Sequence, residues 1–181
     1  MIHERGYWLS QEEIQTHEFD EQLCNAIIKR YNSVRQAVDI GCGNGKYTMA
    51  LIGAGIICTG YDGSPLTPEI TRRVCKTLDF SDPVDIGKFD LVLSLEVGEH
   101  IPRKYEQVFL DNLVRAANEI IIMSWAVEGQ PGIGHFNCRD NDYIIAEMFA
   151  RGFDLDYEST DHLREQSSLP WFKNTLMVFT R

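Results

Sequence analysis

Glu96, Glu99 and His100 put two carboxylates and an imidazole within five positions, directly behind the oily run Leu91-Val92-Leu93. The stretch reads SLEVGEHIP over residues 94–102. If residues 96–100 make one helical turn ahead of Pro102, positions i, i+3 and i+4 share a face and the three side chains converge. Neighbouring carboxylates repel each other unless a proton or a cation lies between them. A divalent cation would resolve the repulsion, and mixed carboxylate and imidazole donors suit Mg, Mn, Fe or Zn. Three donors are too few, and the later segment SWAVEGQPGIGHFN offers His135 in a loop with Gly129, Gly132 and Gly134. The predicted catalytic and metal-binding set is therefore Glu96, Glu99, His100 and His135. A metal there acts as a Lewis acid that makes an alcohol oxygen acidic enough to attack. If His135 is not a ligand, it is a base able to take the proton. The bland reading of the first three residues is that they orient a substrate or cap the next helix.

A second constellation lies upstream. VDIGCGNGKY sets Gly41, Gly43 and Gly45 between an apolar run and a helical pattern, the context in which a glycine motif carries weight. The spacing is G-x-G-x-G, not the dinucleotide G-x-G-x-x-G, and Asp39 stands two residues before it. A carboxylate at that point suits an amine or hydroxyl donor rather than a pyrophosphate. Asp62 follows Asp39 by 23 residues, about where an acid meets ribose hydroxyls, and Asp79 ends a third strand in TLDF. Three acids at successive strand ends around a glycine loop outline a nucleoside site without phosphates.

The elements that must hold these groups alternate in type. QAVDIG, IICTGYD, FDLVLSL and EIIIMSW read as buried strands; KYTMALIGAG, PEITRRVCK, RKYEQVFLDNLVRAAN and NDYIIAEMFARG read as helices between them. Continuous apolar strands alternating with amphipathic helices predict an α/β fold, doubly wound, with helices on both faces of a parallel sheet. The tail predicts a closing hairpin of FDLDYE and FKNTLMVFTR. Before the first strand, SQEEIQTHEFDEQLCNAIIKRYN spaces Phe19, Leu23 and Ile27 as one helix face, covering either a sheet edge or the ligand cleft. The division expected is one domain over 1–181, with a helical cap in 1–34 and the cofactor-binding sheet and substrate loops in 35–181. Trp125, directly after the fifth strand, is the best candidate for an aromatic substrate platform, while His3, His17 and His162 read as surface or packing residues.

VDIGCGNGKYT, GYDGS, TLDF and FDLVLSLEVGEHI together resemble the successive motifs of class I S-adenosylmethionine-dependent methyltransferases over about residues 37–125. The resemblance implies a Rossmann-like sheet of seven strands with an antiparallel last one. It also implies a cofactor site of Asp39, Gly41, Cys42, Gly43, Gly45, Asp62, Gly63, Ser64, Asp79, Phe80, Leu95 and Glu96. In that site the glycines pass under the methionine end, Asp39 lies by its amino group, Asp62 holds the ribose hydroxyls, and Asp79 with Phe80 flanks the adenine. Strand 4 would then end beside the transferable methyl group. E-x-x-E-H with a later loop histidine resembles the metal site of small-RNA 3'-terminal ribose 2'-O-methyltransferases. E-x-x-E-H alone resembles the ubiquinone-pathway O-methyltransferases. Both resemblances imply S-adenosyl-L-methionine plus a divalent metal, Mg or Mn, that binds two neighbouring hydroxyls.

Charge narrows the acceptor. The net charge of −10 disfavours long nucleic acid, whose binding draws on Lys and Arg. No run approaches the roughly 20 apolar residues that span a bilayer, and the five scattered cysteines suit a reducing compartment, so a soluble cytoplasmic enzyme without a membrane partner is expected. The glycine-rich polar loop before His135 reads as a sugar-binding loop. The expected reaction is O-methylation of one hydroxyl of a vicinal diol on a sugar, a glycan or another small-molecule diol, and a glycosyltransferase neighbour in a longer chain fits it. Competing readings are a metal-independent small-molecule N- or O-methyltransferase, a ribose 2'-O-methyltransferase on RNA ends, and a non-catalytic cofactor-binding module.

Overall fold

Apolar residues run through the central strands because both sheet faces are covered. Val38, Val92, Ile121 and Met123 enter one core, and Ala37, Leu91, Leu93 and Ile122 enter the other. The computed structural model describes residues 1–181. Its strands are β1 (Gln36–Ile40), β2 (Ile57–Asp62), β3 (Cys75–Thr77), β4 (Phe89–Ser94), β5 (Ala117–Ser124), β6 (Asp154–Leu155) and β7 (Leu176–Thr180). They form one sheet in the order β3-β2-β1-β4-β5-β7-β6, all parallel except β7, which runs antiparallel to β5 and β6. The doubly wound, seven-stranded expectation holds.

The helices are α1 (Gln11–Gln15), α2 (Glu21–Arg30), α3 (Lys46–Gly53), α4 (Thr67–Ile70), α5 (Glu106–Ala116), α6 (Asn141–Phe149), α7 (Tyr157–Gln166) and α8 (Phe172–Thr175). Phe109 and Leu113 of α5 with Ile144 and Met148 of α6 fill the first core. Leu23 and Ile27 of α2, Leu51 of α3 and Leu163 of α7 fill the second. No helix is long and apolar enough to cross a membrane.

Three local expectations change. The N-terminal segment is two helices rather than one, and they do different jobs: the stretch up to His17 reaches the ligand cleft, while α2 packs on a sheet face. The break is made by Asp20, fully buried, whose carboxylate caps α2 through Leu23 N–H (2.9 Å) and accepts from Ser168 N–H (2.7 Å) and Leu169 N–H (2.9 Å). PEITRRVCK is helical only to Ile70, because Arg72 and Arg73 turn into left-handed backbone (φ +51° and +66°) and Cys75 opens β3. The tail strands do pair antiparallel, Asp154 with Thr180, but α7 and α8 fold between them in place of a tight turn.

Candidate functional site

β1 hands the chain to β2 on one side, and β4 lies against β1 on the other, so strand order reverses between β1 and β4. Ligands of open α/β sheets bind outside the carboxyl ends of the strands at such a point. The loops after β1 and β4 meet there around a cavity of about 460 Å³, within the usual range for small-molecule sites.

The glycine loop makes one wall. Gly41, Gly43 and Gly45 all carry left-handed backbone (φ +79°, +51° and +74°), which side chains resist, and a Cβ on Gly41 would stand 2.3 Å from Val97. Asp39 is buried beneath the loop and accepts from Thr48 Oγ1 (2.7 Å); burial pushes its carboxyl up to about 6. Asp62 accepts from the backbone N–H of Gly43 (2.9 Å) and of Ser64 (2.8 Å), yet burial still holds its carboxyl above the ordinary range.

Asp39, Gly41, Cys42, Asp62 and Gly63 line the cavity; so do Asp79 and Phe80 on one side, and Leu95 and Glu96 on the other. Gly43, Gly45 and Ser64 do not. Ser64 is fully buried, and Gly45 is the N-cap of α3. Asp79 lies beyond the end of the short β3, where Arg5 Nη1 pairs with it at 3.0 Å and with Asp82 at 2.6 Å.

The opposite end holds the acidic motif. Residues Gly98–His100 form a single 3-10 turn, and Glu99 on it is fully buried with neither carboxylate oxygen hydrogen-bonded. Burial, reinforced by the nearby Glu96 charge, raises the Glu99 carboxyl well above its ordinary range. His100 and His135 complete a group with Glu99 in which one donor atom from each lies within 4.8 Å of the others. His135 Nε2 stands 4.0 Å from Glu99 Oε1. His100 Nδ1 meets Gly134 O at 3.0 Å and His135 Nδ1 meets Gln130 O at 3.2 Å, which assigns the proton to Nδ1 in each and leaves both Nε2 atoms as acceptors. Burial and the neighbouring His135 lower the His100 imidazole to about 4, keeping it neutral.

Glu96 lies close enough to raise the Glu99 carboxyl but is not one of the grouped donors. The predicted shared helical face fails because Glu96 precedes the turn and adopts left-handed backbone (φ +52°). Its carboxylate instead accepts from Gln130 Nε2 (2.8 Å) and Thr175 Oγ1 (3.3 Å).

Trp125 is not a platform. It is fully buried against Gly98 and Phe109, with Nε1 donating to Asn137 O at 2.6 Å. The aromatic group at the mouth is Trp8, whose ring is edge-on to both His100 (5.8 Å) and His17 (6.0 Å). His17 lies directly over Gly43, and Tyr7 over Gly63. Of the two places expected for the N-terminal cap, a sheet edge or the ligand cleft, Tyr7, Trp8 and His17 take the cleft; His17, expected as a surface or packing residue, lines the cavity because its partners are remote in the chain.

Residues 38–119 match a family model described as a methyltransferase domain. The chain is 36% identical over 112 residues to the chloroplastic tocopherol O-methyltransferase of Arabidopsis thaliana, covering 51% of this chain and 30% of that protein. It is 31% identical over 116 residues to the ubiquinone biosynthesis O-methyltransferase of Methylococcus capsulatus, covering 55% of this chain and 48% of that one. The chain thus spans less than half the length of either curated relative. Among solved structures, the magnesium protoporphyrin IX methyltransferase of Synechocystis PCC 6803 with bound SAH superposes with a TM-score of 0.69 at 18% identity, covering 94% of this chain and 83% of that one. At that identity the likeness shows the fold.

Proposed function

We propose that this class I S-adenosylmethionine-dependent methyltransferase transfers its methyl group to an oxygen, with a divalent cation held by Glu99, His100 and His135. The observation that carries the reading is Glu99: a fully buried carboxylate with no hydrogen-bond partner is costly unless a cation or a proton occupies the space in front of it. His100 and His135 each bring a ring nitrogen within 4.8 Å of the Glu99 carboxylate and of each other, and each ring is oriented through Nδ1 by a backbone carbonyl, as metal-ligating histidines are. Two imidazoles beside a carboxylate fit Mn, Fe or Zn better than Mg, which prefers oxygen donors. Glu96 is the fourth donor in the proposal, once its bond to Gln130 is exchanged. A cation at this place supplies Lewis-acid polarisation that lowers the pKa of an alcohol.

The acceptor we propose is one hydroxyl of a vicinal diol on a sugar or glycan. Gln130 of the glycine-rich loop Gly129–Gly134 and His135 just after it line the cavity and support it. A second reading, an aromatic diol, draws on the apolar mouth of Trp8, Val97, Pro131 and Ile133, and on the names of the two O-methyltransferase relatives. In either case the cofactor half and the metal half are separable in a test. With Mn2+ present, a screen of sugars, glycans, nucleosides and catechols should yield a methylated diol, and EDTA should abolish the turnover. Glu99→Gln should remove both activity and Mn2+ binding while leaving S-adenosylhomocysteine affinity within about twofold; Asp62→Ala should lose cofactor binding. Full activity in EDTA, or in Glu99→Gln, would overturn the metal reading.

A further inference from the structure

Glu106 is a buried carboxylate that touches neither the cavity nor the metal trio, yet apart from its chain neighbour Gln107, whose Nε2 donates to it at 3.4 Å, its hydrogen-bond partners belong to the loop that carries His135 and the helix after it. It is the first residue of α5 and 2% exposed. Its Oε2 accepts from Asn137 Nδ2 at 2.8 Å and Arg139 Nε at 2.7 Å, and its Oε1 accepts from Tyr143 Oη at 2.5 Å. The Arg139 guanidinium also lies over the Tyr143 ring, 4.4 Å from its centroid. Glu106 is therefore satisfied on both oxygens, the opposite of Glu99.

The segment it holds needs holding. Residues 126–140 contain Gly129, Gly132 and Gly134 and no helix or strand, so the backbone of the loop has little of its own to define it. Outside the cavity its tethers are few: Phe136 and Asn137 N–H both donate to Glu99 O at 2.9 Å, Arg139 N–H donates to Ala126 O at 3.0 Å, and Trp125 Nε1 donates to Asn137 O. Asn137 is thus gripped from two sides, its backbone by Glu99 and Trp125 and its side chain by Glu106. His135 is two residues away. With Asn137 fixed, the imidazole is presented to the Glu99 carboxylate of the same turn whose carbonyl receives the loop.

From this geometry we infer that Glu106 is a positioning residue for the metal site: through Asn137 and Arg139 it fixes the loop that sets His135 against Glu99 and His100. The inference rests on the metal reading above. It assigns Glu106 a role in cation affinity and in the geometry of the acceptor end, and none in cofactor binding, because the glycine loop, Asp39 and Asp62 share no hydrogen bond with it.

The test uses the full chain with S-adenosylhomocysteine bound and Mn2+ alone as the probe. Glu106→Gln keeps the size of the side chain but removes the charge that Arg139 pairs with. Direct hydrogen-bond partners of metal ligands are worth roughly 10- to 100-fold in metal affinity; Glu106 acts one step further out, so the Mn2+ dissociation constant should rise by about the low end, 10-fold. The S-adenosylhomocysteine dissociation constant should stay within about twofold. In the metal-free protein, hydrogen exchange at the Phe136 and Asn137 amides should quicken while the amides of β1 and β4 stay protected. Tyr143→Phe deletes a single donor and should cost about threefold in Mn2+ affinity; it decides the question if Glu106→Gln fails to fold. Mn2+ affinity unchanged in the variants while the parent binds Mn2+ overturns the positioning role alone. Equal losses of Mn2+ and S-adenosylhomocysteine affinity also overturn it, showing general structural support. A parent protein that binds no Mn2+ overturns the metal site, and this inference with it.

Discussion

Asp39 at the end of β1 and Glu99 on the turn that follows β4 are both buried carboxylates, and what separates them is their partners. Asp39 has Thr48 as a donor, whereas Glu99 has none. Burial raises both, Asp39 to about 6. For Asp39 this makes a pH signature at the residue scale. The amino group of the cofactor, which the class I resemblance puts beside Asp39, needs that carboxylate charged. Affinity for S-adenosylhomocysteine should therefore be flat above about pH 7 and fall as pH drops through about 6, approaching tenfold per pH unit. Titration calorimetry at pH 7.5 and 5 measures it, and Asp39→Asn should show weak binding with a flat profile. Equal parent affinities at the two pH values would place the amino group elsewhere. The motif residues were legible one by one because each is defined by chemistry and by position at a strand end. Glu96 was misjudged in direction because its left-handed backbone, φ +52°, cannot be read from a pattern of side-chain types.

At the scale of elements, Asp20 joins two pieces of chain that lie 148 residues apart. It caps α2 and binds the backbone ahead of α8. Its burial alone would raise the carboxyl, but the hydrogen bonds from Leu23, Leu169 and Ser168 outweigh that and leave it lowered. A lowered carboxyl contributes stability above its unfolded value, and the contribution is lost as pH falls through the folded one. Asp20→Ala should cost about 2 kcal/mol in urea unfolding at pH 7, the sum of a lost cap and an exposed-donor penalty. The gap to the parent should narrow once pH falls below the ordinary carboxylate range. A variant as stable as the parent at pH 7 would mean that water replaces Asp20 without loss. Sequence showed a helical face through Phe19, Leu23 and Ile27 but not the cap, since a capping aspartate and a surface aspartate look alike until their partners are known.

Across the whole molecule, the N-terminal residues strap one half of the cavity to the other. Arg5 pairs with Asp79 and Asp82, Tyr7 covers Gly63, His17 covers Gly43, and Ile2 packs on Gly134 beside His100. Gly6, Tyr7, Trp8 and His17 of this strap line the cavity. Arg5→Ala should speed S-adenosylhomocysteine release several-fold by stopped-flow measurement while the unfolding midpoint stays put, because partly exposed ion pairs add little to stability. Raising NaCl from 0.05 to 0.5 M should speed release in the parent and leave the variant nearly unchanged, the Debye length shrinking to about 4 Å. Salt responses that match in the two proteins would mean that the Arg5 ion pairs do not govern release.

The alternation of strands and helices, the burial of both sheet faces, and the glycine loop with its acids are all legible along the chain. These follow from local rules: side-chain periods of 2 and 3.6, and backbone that only glycine adopts easily. Tertiary structure decided which of the chemically capable residues meet. Glu96 is left out of the donor group that keeps Glu99, His100 and His135, Trp125 is drawn into the core while Trp8 comes to the mouth, and Glu106 bonds the loop that carries His135. Contacts so distant in the chain depend on how two cores pack against one sheet, and no local pattern records that.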